Sequence, residues 1–287
     1  MSLWKRTAAF AVVVYAWAFF QNFVVPALPL LRQHFHSSAA WTTWAVSAYI
    51  LVGCSLTPVL SKIGDQYGKR RVILWCLAIF IGASSGAITA PSIGVLIGFR
   101  AIQGVALATL PLSFAIINDE YPPERRQMGL GVATGAMGVG AGTGLVISGL
   151  VLDHLSWPWL FGIADLMAVG AFVMVTVFVP ETPRAPRHAL DVWGAVLLVL
   201  GLALLLLAIT EGTSLGWSSF IVLTCFAGAA GSLGVWGFVE HRSAHPLVDL
   251  ASLRIRPVLF TNLAAFLSGI SLYAAYIILP ELVQIPR

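Results

Sequence analysis

Apolar residues run through this chain in stretches of about twenty, broken by short segments that hold most of its prolines and charges. An α-helix rises 1.5 Å per residue, so roughly twenty apolar residues carry it across a hydrocarbon layer ~30 Å thick. Runs near 8–30, 41–60, 72–90, 94–117, 129–151, 159–179, 192–210, 217–239 and 258–280 predict about nine such helices. The connections Ala90-Pro91-Ser92 and Leu155-Ser156-Trp157-Pro158 are so short that they predict tight antiparallel pairs.

Composition sharpens this into an all-α polytopic membrane protein. Of 287 residues, 59% are hydrophobic and 10% charged, against about 25% charged in a soluble domain. Lys5, Arg6, Lys62, Lys69, Arg70, Arg71, Arg125, Arg126, Arg184, Arg187, Arg242, Arg254 and Arg256 fall in alternate connections. Only Arg32 and Arg287 fall on the other side, and Arg100 lies within a run. This asymmetry predicts a cytoplasmic N-terminus and a multi-pass plasma-membrane protein. It also accounts for the net charge of +4 without a nucleic-acid partner, because the basic residues form no continuous stripe. Residues 1–30 look like a retained first helix, since the run exceeds a signal-peptide core and lacks a cleavage site. Trp41, Trp157, Trp159 and Trp217 sit at run ends, as interfacial anchors do. Cys54, Cys76 and Cys225 lie within apolar runs, and His34, His36, His154, His188, His241 and His245 lie in or beside loops. Neither set has the spacing of a metal site, a disulfide framework or an intramembrane enzyme. No cofactor is expected.

Two segments carry more specific information. The segment Ser61-Lys62-Ile63-Gly64-Asp65-Gln66-Tyr67-Gly68-Lys69-Arg70-Arg71 joins the second and third runs. Gly64 and Gly68 permit a tight turn, and Asp65 can meet a helix N-terminus. In the fourth run, Leu96-Ile97-Gly98-Phe99-Arg100-Ala101-Ile102-Gln103-Gly104 places an arginine in the membrane. Near the bilayer centre that costs at least ~2.5 kcal/mol and marks either a functional charge or one that snorkels to the interface. These segments resemble the two signature motifs of the major facilitator superfamily, G-x-L-a-D-r-x-G-r-k and l-x-x-x-R-x-x-q-G. The resemblance implies a transporter in which Asp65, Gly68, Lys69 and Arg70 gate the cycle and Arg100 influences proton exchange.

The fifth run carries glycine pairs four apart (131/135, 138/142 and 140/144) on shared helix faces, where neighbouring helices can approach closely. It is similar to the superfamily's antiporter motif, with Leu145 in place of its proline and Ser148 in place of one glycine. Ala27-Leu28-Pro29, Trp44 and Tyr49, Asp191-Val192-Trp193-Gly194, Gly216-Trp217 and Pro246-Leu247-Val248-Asp249-Leu250 resemble the fourteen-helix drug/proton antiporter branch. The branch's acid in the first helix corresponds to Phe20 here, and the similarity ends at Pro280-Glu281-Leu282-Val283-Gln284. The resemblance thus implies a C-terminally truncated relative. Its parts are a six-helix half at 1–180, a two-helix linker segment at 181–256 and the first helix of a second half at 257–287.

With Phe20 unable to carry a proton, Asp165 is the clear acid inside a run. Counting along the helices puts Asp165 about 10 Å below its membrane face, with Arg100 at ~9 Å and Asn22 at ~12 Å. An Arg100–Asp165 ion pair is one expectation, and a role for Asp165 in proton coupling, or a purely structural one, another. The superfamily's cavity helices make Tyr15, Phe19, Gln21, Asn22, Tyr49 and Gln103 candidates for contacts to a bulky, apolar small molecule. Efflux of hydrophobic compounds is the leading expectation. Metabolite uptake or exchange is one alternative, left open by Phe20 and Leu145 at the proton and antiporter positions, and a non-transporting fragment is another, because alternating access needs two halves rocking about a midplane site.

Overall fold

A computed structural model describes residues 3–182, 191–243, 252 and 255–284, with side chains described as far as Ser271. Arg184, Arg187, His188, His245, Arg254, Arg287 and the segment Pro246–Leu250, all singled out from the sequence, lie outside the described residues. Eleven α-helices follow in order, with no strand among the described residues. They are α1 (Leu3–Asn22), α2 (Leu28–His34), α3 (Ala39–Tyr67), α4 (Lys69–Ile88), α5 (Ile93–Gln103) and α6 (Thr109–Glu120). Then come α7 (Pro123–His154), α8 (Pro158–Phe178), α9 (Val192–Leu215), α10 (Phe220–Arg242) and α11 (Arg256–Gln284).

Membrane crossings and helices are not one to one. The first crossing runs from Leu3 to His34 through α1, a 3-10 turn at Val25–Ala27 and α2. Pro26 in that turn has no N–H to give to an α-helical ladder, so the chain tightens there. The fourth crossing, Ile93–Glu120, likewise contains 3-10 backbone at Gly104–Ala108 between α5 and α6. Among the described residues, eight segments are long and apolar enough to span, and α11 adds a further helix of 29 residues. The chain is a multi-pass membrane protein. α7 remains helical through all its glycines because hydrocarbon offers backbone groups no other partner.

Helix starts are written locally. Ser38, Ser92 and Ser219 accept bonds from the backbone N–H of Trp41, Val95 and Val222, and Asp191 accepts one from Gly194 at 2.8 Å. Each satisfies an amide that its helix leaves open. The Asp191-Val192-Trp193-Gly194 motif is therefore a cap, and a β-carbon on Gly194 would lie 2.5 Å from that carboxylate.

Between the helices, packing rests on small residues and phenylalanines. A β-carbon on Gly140 would strike the Tyr15 carbonyl, and one on Gly144 would touch Phe19, so α7 lies flush on α1. The expected pairs 131/135 and 138/142 face open space, leaving only 140/144 in a helix contact. Gly53 of α3 and Gly104 meet in the same way. Phe20 stacks on Phe80 of α4 with ring centroids 3.8 Å apart, and Ser84 of α4 donates to the Phe161 carbonyl of α8. This buried cluster extends from Ala9 to Val179. α9 and α10 form a hairpin of their own, with Gly201 against Leu233 and Ser232 donating to the Leu197 carbonyl. It leans on α3 through α9. Without water to drive association, such close van der Waals contact and interhelical hydrogen bonds of about 0.6 kcal/mol hold a membrane bundle together.

Candidate functional site

Three groupings involve the residues singled out from the sequence: a polar latch at the basic end of the bundle, a buried arginine and an apolar cavity.

At the latch, α3 is helical through Asp65 and turns only at Gly68, whose φ of +105° suits glycine. The tight turn expected at Gly64 is absent; Gly64 belongs to α3 and packs against Leu112. Among the described residues Asp65 meets the Lys69 side chain and no helix-start amide. The first amide of α4, on Lys69, donates instead to Thr182 Oγ1 at 2.8 Å. The Lys69 ammonium bridges Asp65 at 2.9 Å and Asp119 at 3.0 Å, tying α3 and α4 to the end of α6. Arg71 donates to Glu181 at 3.0 Å, Arg70 lies 3.7 Å from the same carboxylate, and Arg70 also donates to the Thr176 carbonyl. Arg6 reaches Glu120 at 3.5 Å. Gly68, Lys69 and Arg70 thus meet the segment after α8. Sequence reasoning missed Asp119, Glu181 and Thr182. The available signal was acidic residues placed among the basic connections, but depth alone does not pair them.

Arg100 is fully buried on α5. Its Nε donates to the Ala45 carbonyl at 2.8 Å, one terminal nitrogen to Gln103 Oε1 at 2.7 Å and the other to the Phe20 carbonyl at 3.5 Å. The guanidinium also lies 4.3 Å from the Tyr49 ring centroid and 5.2 Å from that of Phe23. It therefore does not snorkel. Among the described residues no carboxylate pairs with it, and three oxygens and two aromatic faces stabilise the charge. The expected ion pair with Asp165 does not form. Asp165 lies on α8 and accepts from Ser85 of α4 at 2.9 Å, while its other oxygen is buried without a hydrogen-bond partner among the described residues. Equal depth on two helices fixes height, whereas these side chains leave their helices toward different neighbours.

A cavity of about 650 Å³ opens between α1, α3 and the 104–111 segment, where Trp17, Gln21, Ile50, Cys54, Thr57 and Leu107 are exposed to it. The Trp17 indole is fixed by a 3.0 Å bond to the Leu107 carbonyl. Of the expected contact residues, Gln21 borders this space. Tyr49 and Gln103 are fully buried beside Arg100, and Asn22 bonds back to the Ala18 carbonyl of its own helix. Tyr15 accepts from Thr143 of α7 at 2.8 Å, and Phe19 stacks on Phe23.

A bundle of apolar spanning helices, with a glycine-turned basic latch at one end and an arginine buried in the fourth crossing, defines a transporter-type membrane fold. The profile of the Major Facilitator Superfamily matches residues 9–285, and the chain belongs to that family. It is 29% identical over 263 residues to the MFS-type transporter YvkA of Bacillus subtilis, covering 90% of this chain and 57% of that protein. Against the multidrug export protein EmrB of Escherichia coli it is 29% identical, covering 90% and 51%. Against the tetracenomycin C resistance and export protein of Streptomyces glaucescens it is 28% identical, covering 89% and 48%. The chain thus spans about half the length of these relatives. Among solved structures, the human organic anion transporter MFSD10 superposes with a TM-score of 0.59 at 20% identity, covering 78% of this chain and 60% of that one. The peptide transporter PepTSo gives 0.60 at 17%, covering 84% and 54%. At such identities these two structures speak for the fold.

Proposed function

We propose that the chain supplies the first half, the two-helix linker (α9–α10) and the start of the second half of a secondary transporter that exports hydrophobic, drug-like molecules. The observation that carries this reading is the cavity: among the described residues its lining is mostly aromatic and aliphatic, with the Gln21 amide, the Thr57 hydroxyl and the Cys54 thiol as its polar groups and no charged side chain. Such a lining offers area and stacking rather than a fixed ionic partner, which fits bulky apolar ligands better than charged metabolites. The export proteins among its relatives support the same direction.

In this reading the N-terminus is cytoplasmic. Gln21 and Trp17 contact the substrate, while Tyr49 and Gln103 act indirectly by holding Arg100. Gly68, Lys69 and Arg70, with Asp65, form a latch that breaks when the halves rock. Protons are the coupling ion, and Asp165 is their carrier, its unpartnered oxygen being the place to receive one. The test is accumulation of a fluorescent apolar dye, under an imposed pH gradient, in inverted vesicles that carry this chain together with the second transporter half. Gradient-dependent uptake that disappears in Asp165→Asn is expected. Uptake that ignores the gradient would overturn coupling, and no uptake of any apolar dye would overturn export.

A further inference from the structure

Glu211 is a carboxylate that the latch, the arginine and the cavity leave unused. It lies about one turn before the end of α9, at the end of the bundle opposite the basic segments. The Trp44 indole of α3 donates to its Oε1 at 2.7 Å, and the Ser214 hydroxyl donates to its Oε2 at 2.7 Å. A carboxylate has about four acceptor positions, and side chains of the described residues fill two of them. Among the described residues no Lys, Arg or His forms an ion pair with it. Gly212, the next residue, packs so closely under the Trp217 ring that a β-carbon would lie 2.6 Å from it. Beside the carboxylate is a cavity of about 470 Å³ lined by Ala40, Trp41, Trp44, Ile97 and Glu211, with no positive charge in its wall among the described residues.

We propose that this cavity binds the ammonium group of an amphipathic molecule, with Glu211 as counter-ion and the indoles of Trp41 and Trp44 as its aromatic walls. An ionised carboxylate at the membrane boundary is stabilised by a cation, and indole is the aromatic group that attracts an alkylammonium most strongly. Ammonium is preferred to a metal ion because one carboxylate flanked by indoles offers too few oxygens for a hard cation. Trp41 is 58% exposed, so the site opens at headgroup depth, where indoles concentrate. An ethanolamine lipid headgroup and a dissolved organic ammonium present the same chemistry there. The site shares no lining residue with the cavity of α1 and α3, and its occupancy does not depend on transport.

The experiment is calorimetric titration of the full chain, in phosphatidylglycerol nanodiscs, with benzyltrimethylammonium and with neopentylbenzene, its uncharged isostere. Glu211→Gln keeps an acceptor for Trp44 and a partner for Ser214 while removing the charge. It is expected to weaken benzyltrimethylammonium binding by about tenfold, as loss of one charge-assisted contact does, and to leave neopentylbenzene unchanged. Trp41→Ala removes one exposed wall without touching the Glu211–Trp44 bond, and is expected to weaken the ammonium by about threefold, within the range of an exposed cation–π contact. Equal ammonium affinity in the wild type and Glu211→Gln overturns the proposal. Should that variant fail to fold, unchanged affinity in Trp41→Ala overturns it. Nanodiscs doped with phosphatidylethanolamine separate the sources. Competition seen in the wild type but not in Glu211→Gln makes the lipid headgroup the ligand, and its absence makes the ligand a dissolved ammonium.

Discussion

The Arg100 guanidinium lies 4.3 Å from the centroid of the Tyr49 ring, and both side chains are fully buried. A cation in this interior survives because its five N–H donors form a planar fork that meets oxygens at its edge and rings at its face. Arg100→Lys keeps the charge but cannot reach the Ala45 and Phe20 carbonyls and Gln103 together. The expected loss is about 2–3 kcal/mol of stability, read as earlier thermal unfolding in detergent. Tyr49→Leu should cost about 2 kcal/mol through the lost ring face, and Tyr49→Phe less.

Glycine substitutions on α7 should separate by face. Gly140→Ala drives a methyl group into the Tyr15 carbonyl, backbone that cannot swing aside, and is expected to destabilise by about 1–3 kcal/mol. Gly138→Ala meets open space and should be neutral or slightly stabilising, since alanine is the better helix former. Parallel melting curves of the two variants check this; similar losses would mean that both faces are packed.

At the latch, the neutral bond should matter more than the visible ion pairs. Thr182→Val removes the acceptor for the Lys69 amide and should cost about 1 kcal/mol, as loss of a helix cap does. Glu181→Gln acts on half-exposed pairs with Arg70 and Arg71, worth about 0–1 kcal/mol and screened by salt. Unfolding at low and high ionic strength distinguishes them: only the Glu181 effect should fade.

Cysteine labelling reports on the cavity. Cys54 is exposed on its wall and Cys76 is buried in the apolar core. N-ethylmaleimide should modify Cys54 well before Cys76, and an apolar ligand of the cavity should slow the reaction at Cys54. Mass spectrometry of the labelled peptides provides the measurement.

Much of this protein was written in the order of its residues. Runs of about twenty apolar residues set the spanning helices, because hydrocarbon forces backbone groups to bond within their own segment. Ser38, Ser92, Asp191 and Ser219 fixed helix starts, and the segments around Asp65 and Arg100 carried the family resemblance. These properties are local or depend on depth, and a fixed rise per residue makes depth countable. Direction around each helix axis is not countable in that way. Arg100 and Asp165 have matching depths, yet α5 turns the first toward α1 and α3 while α8 turns the second toward Ser85. Tyr49 and Gln103, expected on the cavity wall, lie buried against the arginine. Lys69 meets Asp119 and Thr182, and Trp44 meets Glu211, across 50, 113 and 167 residues of sequence. Only the packing of helix on helix, decided where glycines such as Gly53, Gly104 and Gly140 let backbones touch, chose those partners.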